Sequence, residues 1–183
     1  MDNKLLQQLA FISELEKLKT VTRMNRTLDG RAENSSEHSW QAALMVIILK
    51  EYAPKEIDVL RVVTMLLIHD IVEIDTGDTF LYDEVKRKEV VSDENDAAKR
   101  IFSLLPEDQA KDFVTLWQEF EEGKTDDASF VKAMDGLHPL INHTITRKQG
   151  ESLGNISRSK VIEKKKFIKD VSPELWEMAE DAI

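Results

Sequence analysis

The stretch His69-Asp70-Ile71-Val72-Glu73-Ile74-Asp75-Thr76-Gly77-Asp78 places one imidazole and four carboxylates in ten residues. It follows directly on Val59 to Ile68, an apolar run interrupted only by Arg61 and Thr64. A carboxylate at the end of such a run is costly to bury without a partner. A cation answers that need. On a helix, His69 and Asp70 sit roughly 100° apart around the axis, and Glu73 lies one turn beyond both. One face then holds two metal ligands and a nearby acid or base. A hydrogen-bonded structural His-Asp pair would satisfy the same burial argument, so the motif alone leaves both readings open.

Other chemistry-bearing residues lie on elements that can converge with this stretch. Asn34 and Glu37 are spaced as a capping box, which puts His38 in the first turn of a helix. Ala42 to Leu49 follows, apolar on every side, and predicts a helix central to the core. Asp135 lies on a helix predicted from Asp126 to about Thr146, beside Val131, Met134, Leu137 and Leu140, and it too requires a partner. Pro139 removes a backbone donor there and predicts a kink. His138 and His143 are rival ligands or packing residues. Upstream, Arg23, Arg26 and Arg31 surround Asp29-Gly30, and a guanidinium fork suits phosphate oxygens. Solvated loop charge is the alternative for at least two of the three.

The supporting elements follow from periodicity and breakers. Leu5, Leu6, Leu9, Ile12, Leu15 and Leu18 predict an amphipathic helix over Lys4 to Lys19, and the pattern stops from Thr20 to Ser36. After Pro54, a helix is predicted from Glu56 to about Glu73. Phe80 to Ser92 reads as a mobile charged connection. Further helices are expected from Ser92 or Asp93 to Leu105, after Pro106 and after Ser172, with a polar linker at Gly150 to Asn155, and the six basic residues of Arg158 to Lys169 read as a solvated helix face or a lip over an anionic substrate. The class is all-α, a single-domain helical bundle over 1–183, with a core at about 5–146 and a C-terminal helical extension at 156–183.

Composition narrows the chemistry. The net charge of −10 argues against nucleic acid and membrane surfaces as partners. There is no cysteine, so histidine and carboxylates are the strong ligands available. No apolar stretch approaches 18 residues and no signal-peptide core is visible, so a cytoplasmic location is expected.

Taken in order, Arg23, Glu33-Asn34-Ser35-Ser36-Glu37-His38-Ser39-Trp40, the block from His69-Asp70 to Gly77-Asp78, Phe130-Val131-Lys132-Ala133-Met134-Asp135 and Pro139 resemble the HD-domain superfamily of metal-dependent phosphohydrolases. Within it the set is most similar to the bacterial 5′-deoxynucleotidase branch and its eukaryotic relatives. The resemblance implies His38, His69, Asp70 and Asp135 as ligands to one divalent ion, manganese, cobalt or magnesium. It further implies catalytic roles for Glu73 and Asp78, and phosphate binding by Arg23. The fold it implies is a helical bundle, commonly a homodimer. Met24 departs from the pattern: it stands where the deoxynucleotidases have a tryptophan associated with excluding the ribose 2′-hydroxyl. The activity expected is phosphate release from nucleoside or deoxynucleoside 5′-monophosphates. The alternatives are attack on another nucleotide (a cyclic dinucleotide, a deoxynucleoside triphosphate or a guanosine polyphosphate) and a non-catalytic metal- or nucleotide-binding module.

Overall fold

The computed structural model describes residues 2–146 and 156–183. Helix α1 (Asn3–Glu14) continues as a 3-10 turn over Leu15–Thr20, and Asp2 caps its start. A small antiparallel hairpin follows, β1 (Thr22–Arg26) and β2 (Ala32–Asn34). The remaining elements are helical: α2 (Ser35–Leu49), α3 (Val59–Ile68), a 3-10 turn over His69–Val72, α4 (Glu73–Thr76), α5 (Glu84–Phe102), α6 (Glu107–Glu122) and α7 (Asp126–Thr146). Beyond them lie α8 (Arg158–Lys165), α9 (Ile168–Val171) and α10 (Pro173–Ala182). The chain is an all-α single domain with one small hairpin.

Two apolar clusters organise the bundle. The first joins α2, α3 and α7 through Ala42, Val46, Val62, Met65, Phe130, Met134 and Leu137, and Val161, Ile168 and Trp176 of the C-terminal helices close it. The second gathers Phe11, Leu18, Ile101, Phe102 and Trp117 around Ile68, Ile71 and Val72. The segment through His69 therefore crosses from one cluster to the other. Helices α2, α3 and α7 pack against one another in all three pairings, which brings three separate stretches of sequence together. Gly136 lets the C-terminal extension reach α7, since a Cβ there would stand 2.9 Å from the Phe167 ring.

Several expectations are corrected. The patternless segment from Thr20 to Ser36 contains the hairpin. Helix α5 begins at Glu84, inside the stretch expected to be a mobile connection; its early turns carry strong helix formers, and exposed Val85 and Val91 give no inward stripe to read. The helix expected over Glu56 to Glu73 starts at Val59 and tightens to 3-10 geometry at His69. Helix α2 is not buried all round: Ala42, Ala43, Met45 and Val46 face inward, while Trp40, Leu44, Ile47 and Ile48 are exposed. Periodicity cannot separate a fully buried helix from one that keeps an apolar outer face. The Gly150 to Asn155 linker lies outside the described residues. Other punctuation matches the expectations: both halves of the Asn34/Glu37 capping box form and Ser172 caps α10, while Gly123 is found to end α6 in the left-handed region. Pro139 sits inside α7.

Candidate metal centre

Each of the three central helices brings one imidazole or carboxylate to a common point. The capping box fixes the start of α2 and so the height of His38, which is fully buried. Its Nε2 lies 3.0 Å from Asp135 Oδ1 of α7 and 3.7 Å from Asp70 Oδ2. The 3-10 turn after α3 delivers His69, whose Nε2 is 3.0 Å from Asp70 Oδ1 and 3.7 Å from Asp135 Oδ1. His38, His69 and Asp135 together offer three ligand atoms close enough to share one ion. Asp70 stands beside both imidazoles.

His69 carries the most telling detail. Its Nδ1 lies 2.7 Å from the Leu66 carbonyl, an oxygen that only accepts, so Nδ1 holds the proton and donates. Its Nε2 is buried and makes no hydrogen bond. A histidine anchored through one nitrogen to a backbone carbonyl, with the other nitrogen bare and aimed at carboxylates, has the arrangement of a metal ligand. The two imidazoles and two carboxylates also make a donor set suited to a hard or borderline divalent cation. The residues therefore fit the ion that the sequence implies.

Arg23 lies against this group from the hairpin. Its Nη1 donates to Asp70 Oδ2 at 2.7 Å and stands 3.5 Å from Asp78 Oδ1 and 3.6 Å from Glu73 Oε1, while its Nε is 3.9 Å from Glu33 Oε2. Alternation along β1 sends Arg23 inward and leaves Met24 on the other face, 66% exposed. Met24 is thus not part of the cluster. Arg31 forms a two-point pair with Glu37, and Arg26 is exposed, so Arg23 alone of the three arginines reaches the site. Gly77, at φ +71°, turns the chain after α4 and brings Asp78 back beside Arg23.

The electrostatics show a site short of positive charge. Burial works against protonation of His69, yet Asp70 and Asp135 override it and push the imidazole up to about 9. Burial and the Asp70 charge push Glu73 up to about 9. Burial, reinforced by Asp70, also raises Asp78. His38 moves the other way, held down by burial and by Arg23. Asp135 stays well below the usual carboxylate range: its contacts with His38 and His69 outweigh its burial. A cluster that retains protons on a carboxyl and an imidazole in this way is one that a divalent ion would neutralise.

Residues outside the implied ligand and catalytic set surround these groups, the rival ligand His138 among them. Ser35 Oγ donates to Glu73 Oε2 at 2.6 Å, which fixes that carboxyl group. His138 is wholly buried behind His38, with the two Nδ1 atoms 2.9 Å apart. It is therefore a neighbour of one candidate ligand rather than a member of the His38, His69, Asp135 group. Glu33, also buried, accepts from Asn142 Nδ2 at 3.0 Å, and burial pushes it up to about 7. Ser35 sits three residues before His38 on one helical turn, a spacing that points it to the same end of α2. Nothing comparable marks Asn142. His143, on α7 beyond Pro139, is not part of the cluster.

Comparison with known proteins adds an independent line. The family model described as HD domain matches residues 15–176. The human 5′-deoxynucleotidase HDDC2 is 32% identical over 137 residues, covering 75% of this chain; the chain spans 65% of that relative's length. The 5′-deoxynucleotidase yfbR of Photorhabdus temperata is 26% identical over 161 residues, 82% of this chain and 80% of its own. Among solved structures, a predicted metal-dependent phosphohydrolase from Magnetospirillum magnetotacticum MS-1 superposes with a TM-score of 0.89 at 42% identity, over 98% of this chain and 90% of its own. No helix among the described residues is long and apolar enough to cross a membrane. With the matched span running from before the hairpin to beyond α9, and so through Arg23, His38, the His69-Asp70 pair and Asp135, the chain belongs to the HD-domain family.

Proposed function

We propose that this chain is a divalent-metal-dependent phosphomonoesterase that releases phosphate from nucleoside or deoxynucleoside 5′-monophosphates. The observation that carries the reading is the bare, buried Nε2 of His69, aimed at Asp70 and Asp135 beside His38. The deoxynucleotidase names of the curated relatives supply the substrate class.

His38, His69, Asp70 and Asp135 hold one manganese, cobalt or magnesium ion. When bound, such an ion supplies Lewis acidity, making a water more acidic and a phosphoryl group more electrophilic, and its charge favours ionised carboxyls nearby. Glu73, held by Ser35, orients and deprotonates the attacking water. Asp78, whose burial favours its protonated form, donates a proton to the departing nucleoside oxygen. Arg23, kept charged by the carboxylates around it, balances the charge that gathers on the phosphoryl oxygens. Met24 lies beside the phosphate residue but turns outward, so it sets only a weak boundary against a 2′-hydroxyl, and ribo- and deoxyribonucleotides are both accepted. The working unit is a cytoplasmic homodimer.

The test is phosphate release from a panel of nucleoside and deoxynucleoside 5′-monophosphates by chelator-treated protein, restored separately with manganese, cobalt and magnesium. Metal-dependent release is the expected result. A protein that binds the ion yet releases phosphate from none of the panel would overturn the substrate assignment.

A further inference from the structure

Behind the candidate ligands lies a buried chain of polar groups that the proposed reaction does not use. His138 is entirely enclosed on α7 and meets His38 edge-on, with ring planes at 80° and centroids 4.6 Å apart. The contact is Nδ1 to Nδ1 at 2.9 Å, so a single proton occupies it and one ring must accept. On its far side, His138 Nε2 lies 3.1 Å from Gln41 Oε1 and 3.7 Å from Glu33 Oε1. Glu33 is in turn held by Asn142.

We propose that His138 is a positioning residue that fixes the tautomer and ring angle of His38 through this imidazole–imidazole hydrogen bond. The inference rests on the metal-site reading. For His38 to offer the Nε2 lone pair to an ion, its proton must sit on Nδ1 and be donated to His138 Nδ1. His138 must then carry its own proton on Nε2, where an amide oxygen and a carboxyl oxygen, both able to accept, are waiting. The opposite arrangement, which suits the ion-free site because His38 Nε2 then donates to Asp135 Oδ1 at 3.0 Å, would with an ion bound leave His138 Nε2 a bare acceptor facing those two oxygens and put a proton on the His38 nitrogen that faces the ion. The nearby grouping of Glu33, His38 and His138 is thus a support for the ligand and not a second ion site.

Nitrogen-15 shifts of the histidines in wild-type protein loaded with zinc, a diamagnetic probe, read the tautomers directly. His38 should be protonated at Nδ1 and His138 at Nε2; a proton on His138 Nδ1 would overturn the inference without any substitution. In titrations with cobalt(II), His138→Leu should bind about 10- to 100-fold more weakly than wild type. His138→Gln, whose amide oxygen can still accept from His38, should remain within roughly threefold. Equal cobalt affinity in a folded His138→Leu protein would also overturn it. A wild-type chain that binds neither zinc nor cobalt would instead overturn the metal-site reading and this inference with it.

Discussion

Arg23 is the fixed cation for four carboxyl groups, at 2.7 Å from Asp70, 3.5 Å from Asp78, 3.6 Å from Glu73 and 3.9 Å from Glu33. Arg23→Met keeps most of the aliphatic stem and removes the charge, so the loss reports electrostatics rather than packing. Breaking a buried pair by deleting one partner leaves the other uncompensated and costs about 3–5 kcal/mol. In a chain of this length 1 kcal/mol moves Tm by about 2–4 °C, so metal-free Arg23→Met should melt about 6–20 °C below wild type. The deficit should depend on pH. Without the arginine, Glu73 and Asp78 are raised further in the folded protein. A raised folded pKa means that the folded state binds extra protons, so its contribution is present at low pH and is lost as pH rises through the folded value. The gap between variant and wild type should therefore widen from pH 5 to pH 9. Manganese, bound by Asp70 and Asp135, should narrow it. Calorimetric melting in chelator and then in manganese gives the answer. A deficit under about 2 °C at pH 8, or one that shrinks as pH rises, would refute the view of Arg23 as the counter-charge.

Further expectations concern single groups. Glu73→Gln should retain cobalt affinity while losing about 10²- to 10⁴-fold in turnover, as measured by titration and phosphate release; loss of the metal in that variant would make Glu73 a ligand instead. Asn34→Ala removes the side-chain cap of α2 and should cost about 0.5–2 kcal/mol in denaturant melts, with weaker metal binding because His38 lies in that first turn. Metal-free wild type should lose stability from pH 6.5 to pH 9, since Glu33, His69 and Glu73 are all raised in the folded state, to about 7, 9 and 9. His38 and His138, both lowered, oppose the trend only near pH 6.5, where their unfolded imidazoles are still half protonated, and not above about pH 7.5. A flat or rising Tm across it would contradict the assigned proton uptake.

The parts of the site that could be read from sequence are those where burial and charge collide. His69 and Asp70 end an apolar run, Asp135 interrupts an apolar stripe, and His38 follows a capping box before another apolar run. Each conflict showed in one dimension because the neighbours in sequence are also the neighbours in the core. The hairpin was hidden for the opposite reason. The half-buried residues of β1 are Arg23 and Asn25, and the buried residue of β2 is Glu33, so its inner face is polar and the usual alternation of apolar and polar residues never appears. The start of α5 was hidden because its apolar residues Val85 and Val91 are exposed and trace no inward stripe. His138 was visible only as one of two histidines near Pro139; what separates it from His143 is a contact to His38, 100 residues away, which no local pattern encodes.

That contact also explains why the site tolerates so much buried polarity. Asp70, Glu73, Asp78 and Asp135 face a region where, among the described residues, only Arg23 brings permanent positive charge, and the metal-free protein answers by holding protons on His69 and Glu73. Those protons are exchangeable for a cation, whereas the groups behind them are not. His138, Gln41, Glu33 and Asn142 form a layer of hydrogen bonds that keeps His38 in one orientation whichever positive species occupies the front. A polar layer of this kind adds little stability by itself, because its hydrogen bonds replace equivalent bonds to water. Its effect is directional: it holds the imidazole ring in one orientation, and it offers His38 Nδ1 an acceptor for the proton that leaves Nε2 when an ion binds. The cost appears when one member is removed: His138→Leu leaves His38 Nδ1 and Gln41 Oε1 buried without a partner, about 1–3 kcal/mol, so it should lower Tm by about 2–12 °C as well as weaken the ion's hold, while His138→Gln spares both.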